Sequence, residues 1–527
     1  MRRFAALLEQ LVFSPRRNAK LAYLSDWLSQ TSGDSRGYGV AVITGDLSLP
    51  HVKGKMIRDL AASCCDADLF ALSYDFVGDL AETVSLLWPD KPASQTDDFD
   101  LGTIITTLLH ANRKESEMAM RHYLDAMDQR QRWALLKVAT GGLRVGVSAR
   151  LMRLAIAQSF DKKIEDIEEI WPLLSPPFDD LFNWLEGKAD RPQADGRAVF
   201  RPLMLAHPLD EGDLDNYPIA DCQIEWKWDG ARVQLVSASD GVRLFSRSGD
   251  DISQAFPEMV TDASWQGTLD GELLAGRPDD IGSFNDLQKR LNRKKPSKKM
   301  QEGQPVFMRC YDFLIDGEDD IRMLPLQERR QKLERFISHL QHDRLDISEL
   351  LSPTSWQDVA AFRQKGRENP LIEGVMIKQK DSPYLSGRVK GQWLKWKRDP
   401  LQADLVVLYA QRGHGKRSSL YSDFTFGAWV DEGNGRHLVP VAKAYSGFTD
   451  EELRRLDKFV RSHTVNKFGP VREVEPRLVV EVAFDSIHTS RRHKSGVAMR
   501  FPRFHAIRWD KDAEEADNVA NLLKLIP

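Results

Sequence analysis

QIEWKWDGARVQ, residues 223–234 of this 527-residue chain, reads as a strand, a turn and a second strand. Alternation puts Ile224, Trp226 and Trp228 on one face and Glu225 and Lys227 on the other. A lysine therefore leaves a strand end on the face away from the tryptophans. Asp229-Gly230 is a hairpin signal that returns the chain with Arg232 nearby. A turn of this kind beside a lysine is common scaffold, so its weight comes from the residues in order further along the chain. These are Arg247 in FSRSGD, Glu272 in LDGELL, Phe313 in YDFLIDGEDD, Glu373 and Lys378 in EGVMIK, and Lys395 and Lys397 in WLKWK. Each has a plainer reading: Phe313 as strand core, Glu373 as a turn, Lys395 and Lys397 as charges guarding a sheet edge.

Working outward, the length predicts about three domains at roughly 100 to 200 residues each. Hydrophobic residues at 42% and charged residues at 29% exclude a disordered or collagen-like chain. Basic residues number 74 against 78 acidic, and a net charge of −4 alone gives no sign of a nucleic-acid partner. Four cysteines without CxxC spacing predict a reduced, cytoplasmic protein with no zinc knuckle. In MRRFAALLEQLVF, Phe4, Leu7, Leu8, Leu11 and Val12 follow helical spacing, so the segment reads as a helix and not a signal peptide. No run of 18 apolar residues occurs, which predicts no membrane span. Helical periodicity dominates residues 1–190, with Gly141-Gly142 as a helix stop and a Pro- and Gly-containing linker at 187–197. Short strands with intervening helices fill 200–398, and strands such as DLVVLYAQ and RLVVEVAFDSI at 399–527 suggest a small β-barrel.

The ordered series from Lys227 to Lys397, closed by RFPRF and RWDK with Arg508, Asp510 and Lys511, resembles the motifs of the ATP-dependent DNA ligases. These belong to the covalent nucleotidyl-transferase superfamily, shared with RNA ligases and mRNA capping enzymes. The resemblance covers about residues 200–511. It implies an all-α N-terminal DNA-binding domain at 1–190, an α+β nucleotidyl-transferase (ATP-grasp-like) domain with antiparallel sheets at 200–398, and a C-terminal OB-fold β-barrel at 399–527. It implies Lys227 as the nucleophile that accepts AMP from ATP, with Glu225 reading the adenine edge and Phe313 stacking on it. Arg232 and Arg247 would hold ribose and phosphate, and Glu272 ribose or metal. Glu373 would bind Mg²⁺ or Mn²⁺, with Lys378, Lys395 and Lys397 on the α-phosphate and Arg508 and Lys511 on pyrophosphate. A lysine attacks phosphorus only as the neutral amine, so a cationic surround is what this chemistry needs.

Two positions depart from the family pattern. Trp228 stands where relatives usually have tyrosine, and Val389 where they place a basic residue, for which Arg388 can substitute. Nicked duplex DNA is the implied partner, because sealing requires a grip on phosphates either side of a break. The segment 288–299, QKRLNRKKPSKK, supplies Lys289, Arg290, Arg293 and Lys294 among seven basic residues and no acidic one. In GGLRVGVSARLMRL, Arg144 and Gly146 precede a helix start suited to a phosphate. Resemblance to bacterial forms with the helical domain implies a monomer in the cytoplasm, nucleoid-associated on DNA, acting in repair with a helicase and a nuclease of the same pathway. The competing readings are an RNA ligase or capping-type guanylyltransferase, and a non-catalytic DNA end-binding protein.

Overall fold

The Asp229-Gly230 turn does not close a hairpin. Cys222–Trp228 (β1) leads into it and Ala231–Ala238 (β2) leads out, yet the two strands belong to different sheets. A hairpin signal specifies a local reversal, but here the chain crosses from one layer to another. The Asp229 N–H bonds the Leu371 carbonyl at 2.7 Å, and a Cβ at Gly230 would lie 2.5 Å from the Leu273 carbonyl oxygen. Backbone from three segments therefore meets at this crossing, and only glycine fits.

The computed structural model describes all residues except 90–96, 210, 262–263, 292, 294, 367–368, 370, 414–419, 434, 491–492 and 527. Lys294 thus lies outside the described residues. Two compact units result, one built from Ile156–Arg398 and the other from Met1–Ala155 together with Asp399–Pro527.

In the first unit, β1 sits beside Ile372–Gln379 (β6) and this beside Trp393–Lys397 (β7), all antiparallel. The second sheet runs Gly241–Ser246 (β3), β2, Gly267–Arg277 (β4), Val306–Asp316 (β5), again antiparallel. Each sheet buries one face under helices. Ile224, Val375, Ile377, Leu394 and Trp396 pack with Val359 of helix Trp356–Lys365. Val233, Leu269, Leu273, Met308 and Cys310 pack with Leu333 of helix Leu326–Leu340 and Leu287 of helix Phe284–Leu291. The free faces look at each other: Lys378 of β6 lies 4.6 Å from the ring centre of Tyr311 on β5, and Arg232 of β2 lies 5.8 Å from that of Trp393 on β7.

The second unit begins with helices from Arg2–Phe13 to Ala149–Ser159. Phe4, Leu7, Leu8 and Leu11 are buried along the first of these, whereas Val12 is largely exposed. Asn112 and Asp128 form capping boxes that satisfy otherwise orphaned amides at two helix starts. Gly141 stops helix Gln129–Thr140 at φ 66°, a conformation that suits glycine. Its C-terminal part is a curled antiparallel sheet built on the long strand Leu401–Arg412 (β8). One edge of β8 pairs with Tyr421–Glu432 (β9), which continues to Gly435–Ala444 (β10). The other edge is shared by Val471–Val474 (β11) and Val479–Phe484 (β12), and β12 pairs with Arg503–Arg508 (β13). The Phe504 N–H bonds the Ser446 carbonyl at 2.9 Å, which draws the β10 end of the sheet toward β13. Among the described residues, no helix is long and apolar enough to cross a membrane.

Candidate active site

The register of the first sheet arranges its chemistry in three rows. Lys227 lies opposite Gly374, which lies opposite Lys397; Glu225 opposite Met376 and then Lys395; Gln223 opposite Lys378 and then Trp393. A bulge between Ile372 and Gly374 lets Glu373 reach Lys227, with which it is hydrogen-bonded, while Lys397 Nζ stands 3.5 Å from the same carboxylate. Two rows away, Lys378 Nζ donates to Glu225 Oε1 at 2.7 Å, and Gln223 donates to the same oxygen at 2.7 Å. Tyr311 and Trp393 flank Lys378, each with its ring centre 4.6 Å from Nζ.

The second sheet faces these rows with charge of both signs. Arg232, Glu272 and Arg309 are aligned across β2, β4 and β5. Burial, with Glu373 and Asp229 as neighbouring like charges, pushes the Glu272 carboxyl up to about 7 despite Lys227 and Arg232 nearby. Lys395 is shifted the other way: burial and then the charges of Arg388, Lys397, Lys227 and Arg247 push its ammonium below the usual lysine range. Four cations bearing on Lys395 in this way make a site whose positive charge a polyphosphate would relieve.

Three sequence expectations change. Phe313 is fully buried and packs against Phe336, with ring centres 4.8 Å apart, on the helix-covered face of its sheet. A bulge opposite Asp270 and Gly271 shifts the alternation of β5, so that Cys310 and Phe313 turn to the core and Tyr311 to the cleft. Tyr311, not Phe313, is the aromatic available to a planar ligand. Tyr311→Leu is therefore expected to weaken nucleotide binding by about 1–3 kcal/mol, by analogy with single base–aromatic stacks. Phe313→Leu should instead lower thermal stability and leave nucleotide binding within about twofold, since a core aromatic acts through packing. Calorimetry and melting curves on both variants separate the two roles.

Lys378 is the second change. Four residues along a strand is about 13 Å, which sets Lys378 well away from the Lys227 row. Its ammonium is held at the Glu225 end of the cleft, so it does not fit the α-phosphate. Arg290 is the third. It lies on the inward side of helix Phe284–Leu291 with Leu287, and is fully buried. It donates to the carbonyls of Gln304 (2.8 Å) and Ala255 (3.0 Å) and pairs with Glu258 at 2.8 Å. It staples this helix to two loops and is not available to DNA. On the same segment Lys289 and Arg293 are exposed, Lys289 beside Asp286 at 2.7 Å.

In the helical region, Arg144 and Gly146 are exposed and both adopt positive φ, 45° and 66°. The buried ammonium of Lys20 donates to the carbonyls of Val145 (2.5 Å) and Gly146 (3.1 Å), which sets the loop before helix Ala149–Ser159. At the other end of the chain, Arg508 Nη1 and Lys511 Nζ both reach Asp404, at 2.9 Å and 2.5 Å. Asp510 also binds Arg508, and these hydrogen bonds hold its carboxyl down to about 2. Sequence reading gave no sign of Asp404, Asp270, Tyr311 or Lys20. Only the aromatic preceding Asp312 could have been noticed as an alternative to Phe313.

The cleft falls in one segment recognised by a family model, and the curled sheet beyond β8 in a second. Residues 203–397 match the ATP dependent DNA ligase domain, and 417–511 match the ATP dependent DNA ligase C terminal region. A protein named "Probable DNA ligase" from Koribacter versatilis is 35% identical over 416 residues, 73% of this chain and 70% of that one. "DNA ligase 1" of Korarchaeum cryptofilum is 33% identical over 408 residues, 76% of this chain and 72% of its own length. Among solved structures, Pmar-Lig_PreS3 superposes with a TM-score of 0.61 at 18% identity, over 96% of this chain and 99% of that one, which speaks to the fold. With two such segments matched and relatives above 30% identity covered over more than two thirds of their length, the chain belongs to the ATP-dependent DNA ligase family.

Proposed function

We propose that Lys227 is the residue that carries AMP in a three-step sealing of 5′-phosphate/3′-hydroxyl nicks in duplex DNA. The observation that carries this reading is the placement of Lys227 on Glu373, within a cluster of Arg247, Arg388, Lys395 and Lys397. The Lys227 ammonium gives up its proton to water, leaves Glu373 and attacks the α-phosphorus of ATP as the neutral amine. An Nζ–P bond forms and the bond to the pyrophosphate oxygen breaks, with the cations stabilising the charge that develops on phosphorus. AMP then passes to the 5′-phosphate of the nick, and the 3′-hydroxyl displaces AMP to seal the strand. Tyr311 stacks on the adenine, while Glu225, Gln223 and Lys378 form the polar end of the base pocket. Arg508 and Lys511, held by Asp404, serve the pyrophosphate in the first step.

Mg²⁺ is the family's usual metal, and the donor set suits it. Hard carboxylate oxygens of Glu272 and Glu373 approach the same space, and Mg²⁺ commonly takes one or two carboxylates and completes its shell with substrate phosphate and water. When bound, the ion would neutralise phosphate charge beside Lys227. Protonated Glu272 is a poor ligand, so as pH falls through about 7 the carboxylate is lost and more metal is required. Half-saturating Mg²⁺ for adduct formation is expected to rise by up to about tenfold per unit below pH 7. A half-saturating concentration that stays flat from about pH 8 to about pH 5.5 would remove Glu272 from the metal site.

The curled C-terminal sheet is read as an OB-fold barrel. Arg144, Gly146, Lys289 and Arg293 are read as DNA phosphate contacts, in a domain order of 1–190, 200–398 and 399–527. Repair is the proposed pathway, with a helicase and a nuclease acting on the same DNA and the ligase itself a monomer. A gel assay on nicked duplex with ATP, GTP or NAD⁺ tests the function. Sealing with ATP alone is expected; sealing only of RNA ends, or label retained only from GTP, would replace this reading with that of an RNA ligase or guanylyltransferase.

A further inference from the structure

Tyr384 lies in the segment between β6 and β7, outside the residues assigned to ligand binding. It is 3% exposed, and its ring stands edge-on to Trp393 with ring centres 5.7 Å apart. Its hydroxyl donates to Asp270 Oδ2 at 2.6 Å and accepts from Arg232 Nη2 at 3.2 Å. Asp270, itself fully buried, also accepts from Arg232 Nε at 3.1 Å and Nη2 at 2.7 Å. The Met204 carbonyl takes Arg232 Nη1 at 2.8 Å. A guanidinium has five N–H donors in one rigid plane. Four of them are fixed by these partners, so the plane is set, and among the described residues one Nη1 hydrogen remains for a ligand.

The Tyr384 hydroxyl is the part of this network that comes from the first sheet's side of the cleft. Asp270 lies diagonally across from Arg232 on the second sheet and holds it by a two-point contact, and the Tyr384 hydroxyl ties both members of that pair to the segment between β6 and β7. We propose that Tyr384 is a positioning residue: through Asp270 and directly, its hydroxyl fixes Arg232 in the orientation that binds ATP. This rests on the reading of Arg232 as a nucleotide contact.

The test uses the full chain and measures the KM for ATP in formation of the AMP adduct. Tyr384→Phe keeps the ring and its packing and removes only the hydroxyl. We expect the KM to rise about tenfold, the scale of one lost hydrogen bond to a charged group. In an Arg232→Gln background the same change should add less than about twofold, because residues acting as a unit are not additive. Asp270→Asn should reproduce the KM increase and stands in if Tyr384→Phe does not fold. A normal KM in folded Tyr384→Phe, beside a raised KM in Arg232→Gln, overturns the proposal alone, whatever Asp270→Asn does. Losses that multiply in the double variant also overturn it, since a merely structural tyrosine would act independently of Arg232. A normal KM in Arg232→Gln overturns the reading of Arg232 and this proposal with it.

Discussion

Lys227→Ala is expected to yield no covalent AMP adduct and to lose sealing of a plain nick by at least about 10⁴-fold, the scale seen when a catalytic nucleophile is removed. No neighbouring cation can take over. Lys397 sits two strands away across the sheet and Lys395 in the next row, each set by register relative to Lys227. The Glu373 bulge aims its carboxylate at the end of β1 where Lys227 stands. Binding of nicked duplex should remain within about threefold of the parent, because phosphate contacts spread over several basic residues supply most non-specific affinity. Adduct gels and a binding titration on one preparation read both quantities. Retained adduct would move the nucleophile elsewhere, and joint loss of adduct and binding would point to misfolding.

The second large effect concerns stability. Arg290→Ala is expected to cost about 3–5 kcal/mol, the range for removing one partner of a buried ion pair. Glu258 would be left as an uncompensated charge with 8% of its side chain exposed, and the carbonyls of Ala255 and Gln304 would lose their donors. Lys289→Ala and Arg293→Ala, on the exposed side of the same segment, should each change stability by less than about 0.5 kcal/mol. They should weaken DNA binding and flatten its salt dependence by about one phosphate contact each. Denaturant titrations give the first comparison and binding at two salt concentrations the second. An Arg290→Ala protein of normal stability with weakened DNA binding would reverse this assignment.

The range of the physics involved decides which of these features were legible in the sequence. Alternation in QIEWKW has a period of two, so the opposite facing of Ile224 and Lys227 could be read directly. The Asp-Gly turn specifies a reversal but carries no information about which sheet each strand joins; that depends on Leu371 and Leu273, distant in sequence. Phe313 is assigned by resemblance to its motif, and the two register irregularities of β5, which turn Tyr311 to the cleft and Phe313 to the core, leave no mark in the local sequence pattern. Arg290 was hidden inside a charge run, where helical phase relative to Leu287, and not charge, decides what faces water. Lys378 was grouped with Lys395 and Lys397 by order along the chain, whereas cross-strand register groups it with Gln223 and Trp393. Asp404 gave no signal because its partners Arg508 and Lys511 lie more than a hundred positions away.

The most direct test of the central claim is peptide mass spectrometry of the full chain after incubation with ATP and Mg²⁺ in the absence of DNA. The account predicts one added AMP, on the peptide carrying Lys227, discharged when nicked duplex is added. AMP on any other residue, or a modification formed from GTP or NAD⁺ and not from ATP, would contradict it.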